Sequence, residues 1–118
     1  MTQYQDTLTP EPGDANGWCS RGIALCRLER YQESLACFDQ AITLRLTYAE
    51  AWHRKGVALV ALCCQGEEDI TCFERAIELE PGFVPAWYGK AFSLQMQGQS
   101  EEAEAAFARA RELEQGGK

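Results

Sequence analysis

The sequence has a single histidine, few basic residues and no long apolar run, and each shortage excludes a class of function. Its 118 residues carry 11 Lys and Arg against 18 Asp and Glu, a formal net charge of −7. Because phosphate groups and anionic lipids are bound by clustered Lys and Arg, we expect neither nucleic acid nor a membrane as partner. No apolar stretch approaches the ~20 residues that cross a bilayer, and the first residues do not resemble a signal peptide. We therefore expect a soluble cytoplasmic protein.

Cysteine is abundant, with six in the chain, but the pairs that mark metal and redox sites are missing. No two cysteines stand in a C-x-x-C arrangement, the spacing typical of zinc sites and disulfide oxidoreductases. The cysteines fit small buried apolar residues in a reducing cytosol. We predict no cofactor and no metal, and a metal or redox site on Cys19, Cys26 and His53 stays open as an alternative.

The sequence also lacks the groups that enzymatic catalysis usually requires. His53 is the only imidazole, and no motif nucleophile stands near it in the sequence. A pair of Cys19 with His53 would need a third group to orient the histidine and a donor for an oxyanion. The sequence supplies neither, so we predict a protein that is not an enzyme.

What the sequence does contain is an internal repeat marked by tryptophan. Trp18, Trp52 and Trp87 fall 34 and then 35 residues apart, each followed at plus four by a small residue and at plus seven by a leucine. About twenty residues after each Trp comes a Phe, and an Ala follows three positions later. The predicted structural core of the repeats is Trp18, Gly22, Phe38 and Ala41, then Trp52, Gly56, Phe73 and Ala76, then Trp87, Ala91, Phe107 and Ala110. Such self-similarity indicates a stack of like supersecondary units.

Two amphipathic segments alternate within each unit, with apolar residues at spacings of three and four. This periodicity predicts helices over 15–29, 32–45, 49–64, 67–80, 84–97 and 100–114. The polar segment 1–13 has no period, so we predict a flexible N-terminal arm before one domain over 14–114, with a frayed tail over 115–118.

The order of Trp, small residue, Leu, helix-to-helix turn, F-x-x-A and Pro resembles the tetratricopeptide repeat. Three repeats are covered, about 15–48, 49–83 and 84–117, with WCSRGIAL, WHRKGVAL and WYGKAFSL in the first helices and CFDQAI, CFERAI and AFARAR in the second. The resemblance implies an all-α fold, a right-handed superhelical solenoid of three helix-turn-helix repeats with six antiparallel helices. It also implies a non-enzymatic module that binds another protein or peptide.

The chain departs from the family pattern at two places. Leu46 replaces the proline expected at the boundary between the first two repeats, and one extra residue falls within 63–66. This insertion puts Asp69 where the third repeat has Ala103, at a position expected to be small and buried. Either the Asp69 side chain turns outward, or the extra residue has been placed wrongly in the alignment of the repeats.

Two positions seven residues apart in each second helix are expected to pack on the next repeat. They hold Leu35 with Ile42 and Ile70 with Ile77 in the first two repeats, and Glu104 with Arg111 in the third. The change from apolar to charged suits a unit that nothing follows, since an exposed apolar stripe invites aggregation. We therefore predict that the array ends at its third repeat.

The resemblance also implies that the first helix of each repeat lines a concave groove. Projecting the repeat frame predicts a peptide-binding groove of Cys19, Ile23, Cys26, Arg27, His53, Arg54, Val57, Val60, Ala61, Tyr88, Phe92, Gln95 and Met96. This mostly apolar lining suits an extended peptide or an amphipathic helix. In some relatives Lys, Asn and Arg at fixed groove positions hold a C-terminal carboxylate; those positions hold Cys19, Ile23, Arg54 and Tyr88, so that clamp is not expected here.

Three alternatives stay open for the groove and the chain. The arm around Tyr4 and Leu8 could shield the groove, or the groove or the amino-terminal face could pair with a second copy in a homodimer. The ends of the sequence coincide with the repeat frame, which also fits a fragment cut from a longer protein.

Overall fold

The computed structural model describes residues 14–62 and 67–116. The predicted arm, the inserted residue and the last two residues of the tail lie outside them. Over the described ranges the chain forms six α-helices and no strand: α1 (Ala15–Arg27), α2 (Tyr31–Leu44), α3 (Ala49–Ala61), α4 (Glu67–Leu79), α5 (Val84–Met96) and α6 (Ser100–Glu114). The predicted all-α fold is confirmed, and each boundary lies within three residues of the predicted one.

Capping and turn residues explain where several helices begin and end. The Asp14 carboxylate accepts a hydrogen bond of 3.0 Å from the Gly17 amide and so caps α1. Gly98 has the positive φ of 82° that glycine adopts without strain, and it follows the end of α5. Glu29 stands at the corresponding place after α1 with a φ of 61°, a conformation that disfavours a side chain. The turn after α1 therefore uses a residue that is less suited to a positive φ than the glycine in the turn after α5.

The helices pack as three hairpins, α1 with α2, α3 with α4 and α5 with α6. A buried phenylalanine, Phe38 or Phe73, lies inside each of the first two hairpins. A Cβ on Gly22 would lie 2.5 Å from Phe38 Cε1, and one on Gly56 would lie 2.8 Å from Phe73 Cε1. Real Cβ atoms essentially never approach so closely, so a glycine four positions after Trp18 and Trp52 is needed to admit the ring.

Neighbouring hairpins pack through the second helix of one and the first helix of the next, α2 on α3 and α4 on α5. Phe73 reaches across the second of these contacts, because a Cβ on Gly89 would lie 2.4 Å from its Cε1. The Phe73 ring is therefore held between Gly56 of its own hairpin and Gly89 of the next. The repeat pattern did not predict Gly89, since the corresponding residue in the second repeat is Arg54.

Each later tryptophan is tied to the loop before its helix. The indole nitrogen of Trp52 donates to the Leu46 carbonyl over 3.2 Å, and that of Trp87 donates to the Pro81 carbonyl over 2.8 Å. Leu46 therefore supplies the same acceptor as the proline it replaces.

Ion pairs also join consecutive repeats. Lys55 lies 2.8 Å from Asp39, and Lys90 lies 3.4 Å from Glu74, each lysine reaching back to the preceding second helix. Both ammonium groups also lie near the ring of the tryptophan three residues earlier, at 5.9 Å and 5.7 Å from its centroid. The same contact thus recurs at both repeat boundaries.

Asp69 resolves a question that the sequence left open. Its side chain is buried, and it occupies the place that Ser34 and Ala103 occupy four residues before the phenylalanine of their own repeats. The side chain therefore does not turn outward, and the extra residue was placed correctly in the alignment of the repeats. Both explanations offered from the sequence were wrong. Within the described ranges the buried Oδ1 of Asp69 has no hydrogen-bond partner.

Candidate binding surface

Three large apolar side chains on two neighbouring helices are exposed to solvent. Val57 on α3 is 38% exposed, and Phe92 and Met96 on α5 are 45% and 50% exposed. Helices α3 and α5 contact each other, Val57 and Phe92 share one position of the repeat, and Met96 lies one turn after Phe92. We refer to Val57, Phe92 and Met96 as the apolar surface.

The other predicted groove residues flank the apolar surface to different degrees. Ile23, Cys26 and Val60 are partly buried, whereas Arg27, Ala61 and Gln95 are exposed. Arg54 lies 3.4 Å from the Glu50 carboxylate one turn earlier on α3. Because a partly exposed pair of this kind is worth little, Arg54 is free to exchange its partner.

Cys19 departs from the expectation that it lines the groove, since only 2% of it is exposed. Its thiol is hydrogen-bonded to the Tyr48 hydroxyl, and burial raises the pKa of Cys19. Burial and the same hydrogen bond raise the pKa of Tyr48 to about 12. A buried thiol that keeps its proton is a poor nucleophile, so Cys19 acts as a packing residue.

His53 is also covered, by phenylalanine rings on two sides. Its ring centroid lies 5.8 Å from that of Phe73 and 5.5 Å from that of Phe83, and its Nδ1 is buried without a hydrogen-bond partner in the described chain. Burial lowers the pKa of His53 to about 4, so the imidazole is neutral near pH 7. It therefore adds an apolar wall to the groove and no charge.

Sequence reasoning missed the two rings that cover these positions. Tyr48 lies over Cys19 and Phe83 over His53, and each is an aromatic residue four positions before the next tryptophan. An aromatic residue four positions before both Trp52 and Trp87 is a sequence pattern from which these two covering rings could have been predicted. Tyr48 packs against the cluster that contains Cys19 and Ala58, and Phe83 packs against the one that contains Ala49 and Ala86, so each ring contacts both neighbouring repeats.

Tyr88, the third residue at this position, has no such cover in the described chain. Its hydroxyl donates a hydrogen bond of 2.7 Å to Glu114 near the end of α6, which raises its pKa, and its ring lies 6.2 Å from that of Phe107. The third repeat therefore presents an aromatic ring where the first two present covered residues.

A cleft of about 500 Å³ lies elsewhere, between α4, α5 and α6. Its lining, which includes none of the predicted groove residues, is Glu74, Trp87, Lys90, Leu94, Glu102, Ala105, Ala106 and Arg109. In the second repeat Thr71 and Cys72 stand where Ala105 and Ala106 do, and the Arg75 guanidinium lies 5.8 Å from the Trp52 ring.

No group of three or more His, Cys, Asp or Glu side chains is placed to hold a metal ion in the described ranges. Among the same residues, no helix is both long and apolar enough to cross a bilayer.

Two family models, both described as tetratricopeptide repeat, match the chain over residues 15–48 and 72–105. Among solved structures, a crystal structure of MamA is similar with a TM-score of 0.83 and 24% identity, covering 89% of this chain and 61% of MamA. A second MamA structure (AMB-1) has a TM-score of 0.79 and 26% identity, with 89% and 62% covered. This chain thus spans about three fifths of those MamA chains.

A third similar structure is the second tetratricopeptide repeat domain of Spaghetti (RPAP3) bound to the HSP90 peptide SRMEEVD. It has a TM-score of 0.82 and 18% identity, with 94% of this chain and 98% of that chain covered. No curated protein gives a significant sequence match.

Proposed function

The chain belongs to the tetratricopeptide repeat family, and on that premise we propose that it is a non-enzymatic module that binds an apolar segment of another protein. The exposure of Val57, Phe92 and Met96 carries this proposal. Apolar side chains that are exposed together on neighbouring helices are typical of surfaces that bind a partner. An aromatic ring beside a flexible thioether can also adapt to side chains of different shape.

The chemistry around the apolar surface favours an apolar ligand over an acidic peptide tail. The four positions expected to form a carboxylate clamp hold the buried Cys19, the apolar Ile23, the paired Arg54 and Tyr88. The RPAP3 domain holds an acidic HSP90 peptide on a similar backbone, so its architecture supports peptide binding but not the same ligand. The ligand that suits this lining is an amphipathic helix or an extended segment with apolar side chains.

The proposed binding site consists of the apolar surface with Ile23, Cys26, Val60, Gln95 and Tyr88 around it. Arg27 adds a cation at the α1 end, where a ligand could place an acidic residue. Two acidic groups, Glu50 and Glu114, lie at the edge through their contacts with Arg54 and Tyr88.

The test is the double variant Val57→Glu with Phe92→Glu, compared with Leu44→Glu with Leu46→Glu. All four residues are exposed, and the control adds the same charge outside the proposed site. Proteins captured from the native cell by the wild type and the control, and lost by the first variant, would support the proposal. Their binding is then repeated with purified components.

A captured set that is the same for both variants, with helix content retained, would exclude the apolar surface as the site. Light scattering of the purified chain tests the homodimer alternative separately. A dimer that Phe92→Glu converts to a monomer would show that a second copy occupies the apolar surface.

A further inference from the structure

The cleft between α4, α5 and α6 is a second surface of the chain, and it shares no residue with the proposed binding site. Its volume of about 500 Å³ is in the range that holds a side chain or a small ligand. The Trp87 ring in its lining is partly exposed, whereas Leu94 is buried. Ala105 and Ala106 of α6 add short apolar side chains. The cleft therefore offers an aromatic ring that a ligand can reach.

The tryptophans of the second and third repeats differ in the cations that lie near them. The Trp52 ring has two, with Lys55 Nζ at 5.9 Å and the Arg75 guanidinium at 5.8 Å from its centroid. The Trp87 ring has Lys90 Nζ at 5.7 Å, and no second cation within about 6 Å among the described residues. The cleft is thus lined by the ring that lacks the second cation.

The charged side chains of the cleft leave a carboxylate without a partner. Lys90 lies 3.4 Å from Glu74, and Arg109 lies 3.0 Å from Glu112, so both cations of the lining are already paired. Glu102 also lines the cleft, and within residues 14–62 and 67–116 it has neither a hydrogen bond nor an ion pair. Because the whole chain carries a net charge of −7, a basic ligand is attracted at longer range as well.

We propose that this cleft binds an arginine side chain of a partner protein, with the guanidinium stacked on the Trp87 ring and paired with Glu102. Arginine suits both contacts, because its planar group stacks on aromatic faces and donates to a carboxylate through two N–H groups. Its methylene stem would lie along the alanines of α6. The Arg75 guanidinium beside the Trp52 ring is an example of the same pairing within the chain.

A neighbouring depression indicates that the ligand is a basic segment and not a single side chain. This depression shares Glu102 with the cleft and contains Glu101, which is also unpaired within the described part of the chain. A second basic residue of the partner would therefore meet a second carboxylate. The basic segment and the apolar ligand proposed above bind through different residues, so one partner or two can occupy the chain together.

The test titrates the full chain with a capped peptide of alternating glycine and arginine, followed by nuclear magnetic resonance. The matched peptide carries citrulline, which has the shape of arginine without its charge. We expect the arginine peptide to shift the Trp87 indole signal and the Ala105 and Ala106 amide signals, and to bind about tenfold more tightly than the citrulline peptide. The signals of Val57 and Phe92 should not move.

Two variants of α6 test the site itself. Glu102→Gln should weaken binding of the arginine peptide by about threefold or more, whereas Glu104→Gln, which removes the same charge from an exposed position outside the cleft, should not. Ala105→Arg should fill the cleft from within the chain and abolish the shift of the Trp87 signal. The double variant Val57→Glu with Phe92→Glu should still bind the peptide, so this test does not depend on the apolar surface.

Three results would overturn the proposal. Equal affinity for the arginine and citrulline peptides would show that the cleft does not select the charge. Equal losses in Glu102→Gln and Glu104→Gln would mean that the peptide follows only the net charge of the chain. Movement of the Val57 and Phe92 signals in place of the Trp87 signal would put the basic peptide in the groove.

Discussion

The second and third repeats share the same sequence motif, but the motif residues are packed differently in the two. Phe73 is buried between two glycines, whereas Phe107 at the same motif position is partly exposed. Ile70 and Ile77 on α4 are partly buried, whereas Glu104 and Arg111 on α6 are exposed. The contribution of a motif residue therefore depends on its contacts with the neighbouring hairpin as well as on those within its own, as the position of Phe73 between Gly56 and Gly89 shows.

The largest expected effect separates Phe73 from Phe107. Phe73→Ala should lower the free energy of unfolding by about 3–5 kcal/mol, because it empties a site enclosed on all sides. Phe107→Ala should lower it by about 1–2 kcal/mol, because the ring is already partly in water. Urea unfolding followed by circular dichroism measures both. Equal losses would show that the third repeat is as tightly packed as the second, and that the comparison is wrong.

The sequence was sufficient for the parts of the fold that repeat. Tryptophan spacing, the small residue four positions later and the F-x-x-A motif predicted the three hairpins. Each of these features is a local pattern that its own repeat must satisfy. These features could therefore be predicted from the sequence without knowing how neighbouring repeats pack on each other.

What the sequence did not show depends on contacts between repeats. Cys19 and Val57 both project from first helices, yet Tyr48 covers one and leaves the other exposed. Gly89 has no glycine counterpart in the other repeats, and its small size admits the Phe73 ring, which arrives from the preceding hairpin. Asp69 is buried because it occupies a repeat position that is buried in all three repeats, although its side chain is acidic.

A second effect compares His53 with Tyr88, which holds the same position in the third repeat. The pKa of His53 falls from its usual 6.5 to about 4 on folding, so the unfolded chain binds the proton more tightly. Its contribution to stability is complete above pH 6.5 and is lost as the pH falls from 6.5 towards 4. The loss is about 3 kcal/mol at most, because each pKa unit corresponds to about 1.4 kcal/mol.

The measurement is the free energy of unfolding of the wild type and of His53→Tyr between pH 7 and pH 4. Tyrosine keeps an aromatic ring as at Tyr88, and it does not titrate in this range. The two proteins share their carboxylates, so the difference between their pH dependences isolates the histidine. Parallel curves would mean that His53 is protonated as easily in the fold as in the unfolded chain.

The smallest expected effect tests the contact that joins the second and third repeats. Gly89→Ala should destabilise the protein by about 1–2 kcal/mol, because the cost of overpacking exceeds the gain of about 1 kcal/mol from replacing glycine in a helix. The new Cβ would lie 2.4 Å from Phe73 Cε1, whereas one on Gly82 would have no atom within 4 Å. Gly82→Ala should therefore leave stability within about 0.5 kcal/mol of the wild type.

A double-mutant cycle identifies the clash as the cause. If Gly89→Ala acts by pressing on Phe73, it should cost much less in a Phe73→Leu background, where the ring is gone. The same loss in both backgrounds would mean that Gly89 is needed for some other reason and that the ring does not bridge the repeats.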